Sequence, residues 1–377
     1  MSFVQELDHL PFEELEAAAL SSNDDSVSRA LSRSALGGLD LHDFAALISP
    51  AAGKRLEDLA RVAHALTVQR FGRTIQLFAP LYVSNECVST CAYCGFSRPN
   101  QVSRLTLSPK DVLEEARLLL GQGFRHILLV SGDHPKKVST SYLEEVIGLL
   151  HPIVPSISLE VATFPEEDYR RLASAGVEGV VVYQETYKRD TYSAVHLKGP
   201  KRNFQWRLDT PERAARAGMR RIGIGVLLGL ANWMRDALAL VAHARYLMRR
   251  CWQSFLTVSV PRLRPAAGGF VPLHSIGDRE FVQLVCSLRL ALPEAGIVLS
   301  TRERPELRDG LLRLGVTHMS AGSRTMPGGY KGQVYAEPQF ELEDHRTPAE
   351  MAERVRALGY DPVWKDWEAV LHGYDHC

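Results

Sequence analysis

The chain has 377 residues, enough for two or three average domains or for one large α/β barrel with additions. Its 44 Lys+Arg balance its 44 Asp+Glu, so no bulk field draws it to nucleic acid or to an anionic membrane. With 45% hydrophobic and 23% charged residues it lies in the globular range, which excludes disordered and fibrous classes.

The opening residues, Met1-Ser2-Phe3-Val4-Gln5-Glu6-Leu7-Asp8, lack the basic start and apolar run of a secretory signal, and the expected location is the cytoplasm. Residues 1–75 read as an N-terminal helical extension. Apolar residues recur at three- and four-residue spacing over Phe12–Ala19, Val27–Ser34, Leu39–Ile48 and Arg55–Arg70, and no catalytic motif accompanies them.

From Gln76 the pattern changes to short, β-branched apolar runs separated by amphipathic helical segments. The expected strands are Gln76–Val83, His126–Ser131, Ser156–Ala162, Gly179–Tyr183, Arg221–Val226, Ser254–Val260, Gly296–Ser300 and Val316–Ser320. The helical segments between them often stop at glycine, as at Gly121, Gly176, Gly218 and Gly315. This alternation predicts an α/β fold, a (β/α)8 TIM-type barrel over residues 76–322, with chemistry at the carboxyl ends of the strands. The longest apolar stretch, Ile222–Ala231, contains three glycines and is about half the roughly 20 residues of a membrane span, so no membrane association is expected. Residues 323–377 read as a C-terminal loop and helix packing on the barrel. Pro327-Gly328-Gly329-Tyr330 opens the loop, a helix spans Pro348–Leu358, and Trp364 and Trp367 are expected to fold back on the barrel.

Six cysteines are too sparse for a disulfide framework. Cys87, Cys91 and Cys94 stand as CxxxCxxC directly after the first expected strand. Three thiolates without a nearby histidine or fourth cysteine do not close a structural zinc site. They suit a four-iron cluster with one iron left open for a substrate or cofactor. Cys251, Cys286 and Cys377 share no such spacing and read as packing residues or, for Cys377, a terminal thiol.

The spacing, with Tyr93 before the last cysteine, resembles the signature of radical S-adenosylmethionine enzymes. The runs Val182-Tyr183-Gln184-Glu185-Thr186-Tyr187, His196-Leu197-Lys198-Gly199, Pro261-Arg262-Leu263-Arg264-Pro265, Leu299-Ser300-Thr301-Arg302-Glu303, Pro327-Gly328-Gly329-Tyr330 and Val363-Trp364-Lys365-Asp366-Trp367 are similar to the 2-iminoacetate synthase family, tyrosine lyases of thiamine biosynthesis. That resemblance implies a [4Fe-4S] cluster on Cys87, Cys91 and Cys94 and S-adenosyl-L-methionine chelated to its open iron. The hydrogenase-maturing tyrosine lyases resemble the chain through the barrel but add a C-terminal cysteine cluster, which cannot be made here.

Further residues take roles from the same resemblance. Gly132 and Asp133, after the second strand, correspond to the glycine-rich turn and acid that face the cofactor's amino group, although the usual acid is glutamate; an ordinary turn is the rival reading. Gln184, Glu185 and Thr186 end the fourth strand toward the cofactor's ribose or the substrate, and pleating leaves open which points inward. Arg207 is similar to the arginine that pairs with the methionine carboxylate, against a rival role in starting a helix. Phe96 is expected to line the adenine pocket. Arg302, Ser320 or its neighbour Ser323, and Tyr93 are expected to bind the substrate carboxylate.

The implied reaction removes a hydrogen from the amino group of L-tyrosine and breaks Cα–Cβ, giving 2-iminoacetate and p-cresol. Implied partners are thiazole synthase and a flavodoxin or ferredoxin-type electron donor. A radical lyase acting on tryptophan, and a non-catalytic scaffold with a structural metal on the three cysteines, are the alternatives.

Overall fold

The computed structural model describes residues 2–35, 37–332 and 336–365, and in it the expected barrel closes. Its strands are β1 (Thr74–Ser84), β2 (His126–Ser131), β3 (Ser156–Glu160), β4 (Gly179–Glu185), β5 (Arg221–Val226), β6 (Phe255–Ser259), β7 (Gly296–Leu299) and β8 (His318–Ser320). Each pairs in parallel with the next, and β8 returns to β1 with His318 opposite Gln76 and Ser320 opposite Phe78. The strand residues facing the helices are apolar because that face is fully covered. In β1, Leu77, Ala79, Leu81 and Val83 join the layer beneath the helices, whereas Phe78 and Tyr82 join Leu128, Val130 and Phe96 inside.

Helices Pro109–Gly121, Thr140–Leu150, Glu166–Ser174, Thr210–Arg216, Trp233–Arg250, Asp278–Ala291 and Pro305–Leu312 run between successive strands. Their starts were legible where a serine caps them. Ser108 accepts from the Asp111 amide and Ser139 from the Tyr142 amide.

The N-terminal extension includes the four expected helices and two short ones, Phe3–Asp8 and Pro50–Lys54, which are too brief to show a period. It is welded to the barrel's outer helices. Leu47, Leu59 and Ala63 share a cluster with Cys286 and Leu290, and the Gln283 amide donates to the carbonyls of Leu47 and Ser49 at 2.9 and 2.8 Å. Cys286 is thus a packing residue, and Cys251 is half-buried against the main core.

Beyond β4 the sequence reading missed helices Arg189–Val195 and Phe204–Leu208, and an antiparallel ribbon joining Thr90–Cys91 to His196–Lys198. That ribbon ties the cysteine loop to the loop that follows β4. At the other end, helix Pro348–Ala357 leads to β9 (Asp361–Val363), which pairs in parallel with the start of β1. Trp364 meets Phe124 edge-on at 5.3 Å between ring centroids, as its fold-back role requires; Trp367 and Cys377 lie outside the described residues. Among the described residues, no helix is long and apolar enough to cross a membrane.

Candidate active site

One cavity opens at the carboxyl ends of the strands, and its lining contains Cys87, Cys91 and Cys94 with Tyr93 and Phe96. The loop bearing them is held from behind by Arg104, whose guanidinium donates to the carbonyls of Asn85, Phe96, Ser97 and Asn100. Ser97 Oγ accepts from the Cys91 amide at 3.1 Å. These contacts fix both flanks of the loop, whose three cysteines line the cavity.

The three thiols are free, and the cavity lining adds no histidine to them. Among the described residues, no three or more His, Cys, Asp or Glu are gathered as a single metal ion would require; the sulfurs stand around a shared space instead. An all-thiolate donor set of this kind fits an iron–sulfur cluster. Burial pushes the Cys87 thiol up to about 11 and raises Cys91 as well, so ligation must displace their protons.

Gly132 presses on the same loop, where a Cβ would lie 2.3 Å from the Glu86 carbonyl oxygen. Asp133 also lines the cavity, but its Oδ2 accepts from Ser89 Oγ at 2.7 Å and its carbonyl from the Val88 amide at 2.9 Å. It therefore braces the cysteine loop.

Of Gln184, Glu185 and Thr186, only Glu185 lines the cavity. The choice left open among the three is decided by the pleat and by a bulge. Tyr183 and Glu185 share the inner face, while Thr186 donates to Asp236 at 3.0 Å and Gln184 is buried with neither amide atom partnered among the described residues. Glu185 itself adopts φ 72°, a left-handed conformation rare for a side chain of this kind, at a register shift between β4 and β5. Lys201 Nζ pairs with it at 2.5 Å, and Arg207 Nη2 stands 3.9 Å away while its Nε donates to the Tyr183 carbonyl at 2.7 Å. Burial would raise the Glu185 carboxyl, but the Lys201 and Arg207 cations hold it below the usual carboxylate range.

Tyr93 is engaged elsewhere than expected. Its hydroxyl lies 2.8 Å from His196 Nε2, and His196 Nδ1 lies 2.9 Å from the Tyr192 carbonyl. Facing a carbonyl, Nδ1 must carry the ring proton, so Nε2 accepts and the Tyr93 hydroxyl donates to it. That proton is not available to a substrate carboxylate. Burial pulls His196 down to about 3, which keeps the ring neutral.

Across the cavity, Arg302 is half-buried over the Phe340 ring, and its guanidinium forms no ion pair with a carboxylate among the described residues. A long hydrogen bond, 3.5 Å, reaches the Arg262 carbonyl. Ser320 and Ser323 both line the cavity. Ser320 Oγ accepts from the Thr301 amide at 3.2 Å, whereas Ser323 Oγ is buried without a partner among the described residues. An orphaned hydroxyl and a guanidinium without a carboxylate partner, lining the same cavity, can together receive a carboxylate.

Among the lining residues that escaped the sequence reading are Glu160 and Lys201. Glu160 ends β3 inside the cavity; burial, then the Glu185 charge, pushes its carboxyl up to about 7 against the pull of Arg302. A lone carboxylate closing an apolar strand was its signal. Lys201 stands on a single 3-10 turn, Pro200–Arg202, and gave none.

Comparison with known proteins agrees with this geometry. Residues 81–241 match the Radical SAM superfamily, and residues 259–361 match the Biotin and Thiamin Synthesis associated domain. The chain is 44% identical over 346 residues to 2-iminoacetate synthase of Escherichia coli (strain K12), covering 92% of this chain and 91% of that protein. The crystal structure of HydG, a maturase of the [FeFe]-hydrogenase, superposes with a TM-score of 0.90 at 31% identity, over 94% of this chain and 79% of that one. Methylornithine synthase (PylB) shares the fold, with a TM-score of 0.72 at 20% identity over 92% of this chain and 99% of its own.

Proposed function

Because the chain belongs to the 2-iminoacetate synthase family of radical S-adenosylmethionine enzymes, we propose that it splits L-tyrosine at Cα–Cβ into 2-iminoacetate and p-cresol for the thiazole of thiamine. The carrying observation is the half-buried Arg302 guanidinium, without a carboxylate partner among the described residues, facing the same cavity as the three thiols. Cys87, Cys91 and Cys94 would hold the [4Fe-4S] cluster, which with bound S-adenosylmethionine supplies a 5′-deoxyadenosyl radical.

Glu185 and Arg207 offer a carboxylate and a guanidinium at the cysteine end of the cavity, complementary to the amino and carboxylate groups of the cofactor's methionine part. Gly132 lets the cysteine loop close against the second strand's end, and Phe96 supplies an apolar wall for adenine. Arg302 holds the tyrosine carboxylate with Ser323 Oγ as second donor and Ser320 close by. The amino group is thereby fixed toward the cofactor, and positioning rather than acid–base strength selects the hydrogen removed. The buried walls exclude water that would quench a radical.

The fragile imine product favours direct transfer to thiazole synthase, and the cluster requires an electron from a flavodoxin or ferredoxin-type donor. Anaerobic reconstitution with tyrosine beside tryptophan tests the reading. Formation of 5′-deoxyadenosine and p-cresol, abolished in Cys91→Ala, supports it; an indole-derived product from tryptophan alone, or one bound zinc without cofactor cleavage, overturns it.

A further inference from the structure

Residues 339–344 cross the barrel mouth as a strap. The Gln339 amide donates to the Thr325 carbonyl at 2.9 Å, and the Glu343 and Asp344 amides donate to the Thr301 carbonyl at 3.2 and 3.1 Å. Where the strap passes the cysteine loop the approach is closer than a side chain allows: a Cβ on Gly95 would lie 2.3 Å from the Gln339 carbonyl oxygen. This contact sets the Gln339 side chain against Cys94, with Nε2 3.5 Å from the sulfur. On the other side, the Tyr82 hydroxyl donates to Gln339 Oε1 at 2.8 Å.

The amide has one productive orientation. An iron-bound thiolate accepts hydrogen bonds and cannot donate, so the nitrogen must face it and the oxygen must face Tyr82. Burial holds the Tyr82 hydroxyl far above the usual phenol range, which keeps its proton available to that oxygen. Tyr82 is in turn fixed by Phe96, which meets it edge-on at 5.9 Å.

We infer that Gln339 is a positioning residue whose amide, oriented by Tyr82, donates to the Cys94 sulfur and raises the reduction potential of the cluster held there. The inference rests on the assignment of Cys94 as an iron ligand. Reduction adds negative charge to the iron–sulfur unit, and an N–H aimed at a ligand sulfur stabilises the reduced state more than the oxidised one. Removing that N–H makes the cluster harder to reduce without altering its ligands.

The test is a redox titration, followed by electron paramagnetic resonance of the reduced cluster, on anaerobically reconstituted wild type, Gln339→Leu and Tyr82→Phe chains. The expected result is a full iron complement in each, with midpoints more negative than wild type and the larger displacement in Gln339→Leu. Unchanged midpoints overturn the inference. Should Gln339→Leu fail to take up iron, Tyr82→Phe decides alone, because it keeps the ring and removes only the hydroxyl: a negative displacement upholds the inference and none overturns it. A Cys94→Ala chain that still carries a full cluster and cleaves the cofactor would overturn the ligand assignment itself, and the inference with it, whichever way the other midpoints moved.

Discussion

The guanidinium of Arg302 lies 3.5 Å from the centroid of the Phe340 ring. A ring face attracts the cation without neutralising it, so the guanidinium keeps its charge for a planar carboxylate. Arg302→Lys keeps the charge and loses the fork. Losing one of two charge-assisted hydrogen bonds costs about 1.5–3 kcal/mol, or roughly 10- to 100-fold in kcat/KM. It should appear mainly in KM for tyrosine, while iron content stays at the wild-type level. Unaltered KM would remove Arg302 from the substrate site.

Ser323 gives a second, sharper contrast. Its buried hydroxyl has no partner among the described residues, so Ser323→Ala removes an unsatisfied group and leaves the unfolding midpoint unchanged or slightly raised. If that hydroxyl donates to the substrate carboxylate, the same variant raises KM by about tenfold, the equivalent of one hydrogen bond. A variant that loses stability but keeps its KM would make Ser323 a structural residue only.

The pH dependence of stability is set partly by Glu160. Its carboxyl rises from 4.5 to about 7 on folding, through burial and the neighbouring Glu185 charge. The folded chain therefore binds the proton more tightly than the unfolded one, and this contribution is fully present below pH 4.5 and lost as pH rises through about 7. Relative to Glu160→Gln, the wild type should lose on the order of 1 kcal/mol per pH unit across that window and level off above it. Anaerobic denaturant titrations of both chains at several pH values measure the difference. Asp236, also raised to about 7 by burial, contributes the same slope to both chains and cancels.

Beneath the mouth, Asp344 pairs with Arg308, and both side chains are almost fully inaccessible to solvent. Arg308 also donates to the Ser320 carbonyl, so the pair supports the strand end that carries the substrate site. Asp344→Ala leaves a buried guanidinium without its carboxylate and should cost about 3–5 kcal/mol. Urea unfolding reads this directly, and a loss below ~1 kcal/mol would show that the strap is not anchored there.

The barrel was legible because its strands are short apolar runs and its helices are amphipathic and capped. Strand ends were less so. β4 continues to Glu185 past the expected Tyr183 because the bulge and left-handed backbone at Glu185 carry no signature in a single sequence. Arg207 was placed at the mouth only by the family resemblance, whereas the cysteines and Arg302 could be placed there from the ends of their strands. The engagement of Tyr93 by His196 could not, since it joins two residues 103 positions apart. Gln339 was equally hidden: its position reads as part of a long polar loop, and only the fold brings that loop against Cys94.

β9 lies alongside Thr74–Gln76, at the end of β1 remote from the cavity. A chain cut before Asp361 would bare the amides and carbonyls of that stretch as an exposed rim. Such a rim recruits strands from other molecules. Truncation there should therefore reveal itself first as self-association, in a protein whose catalytic chamber is still intact.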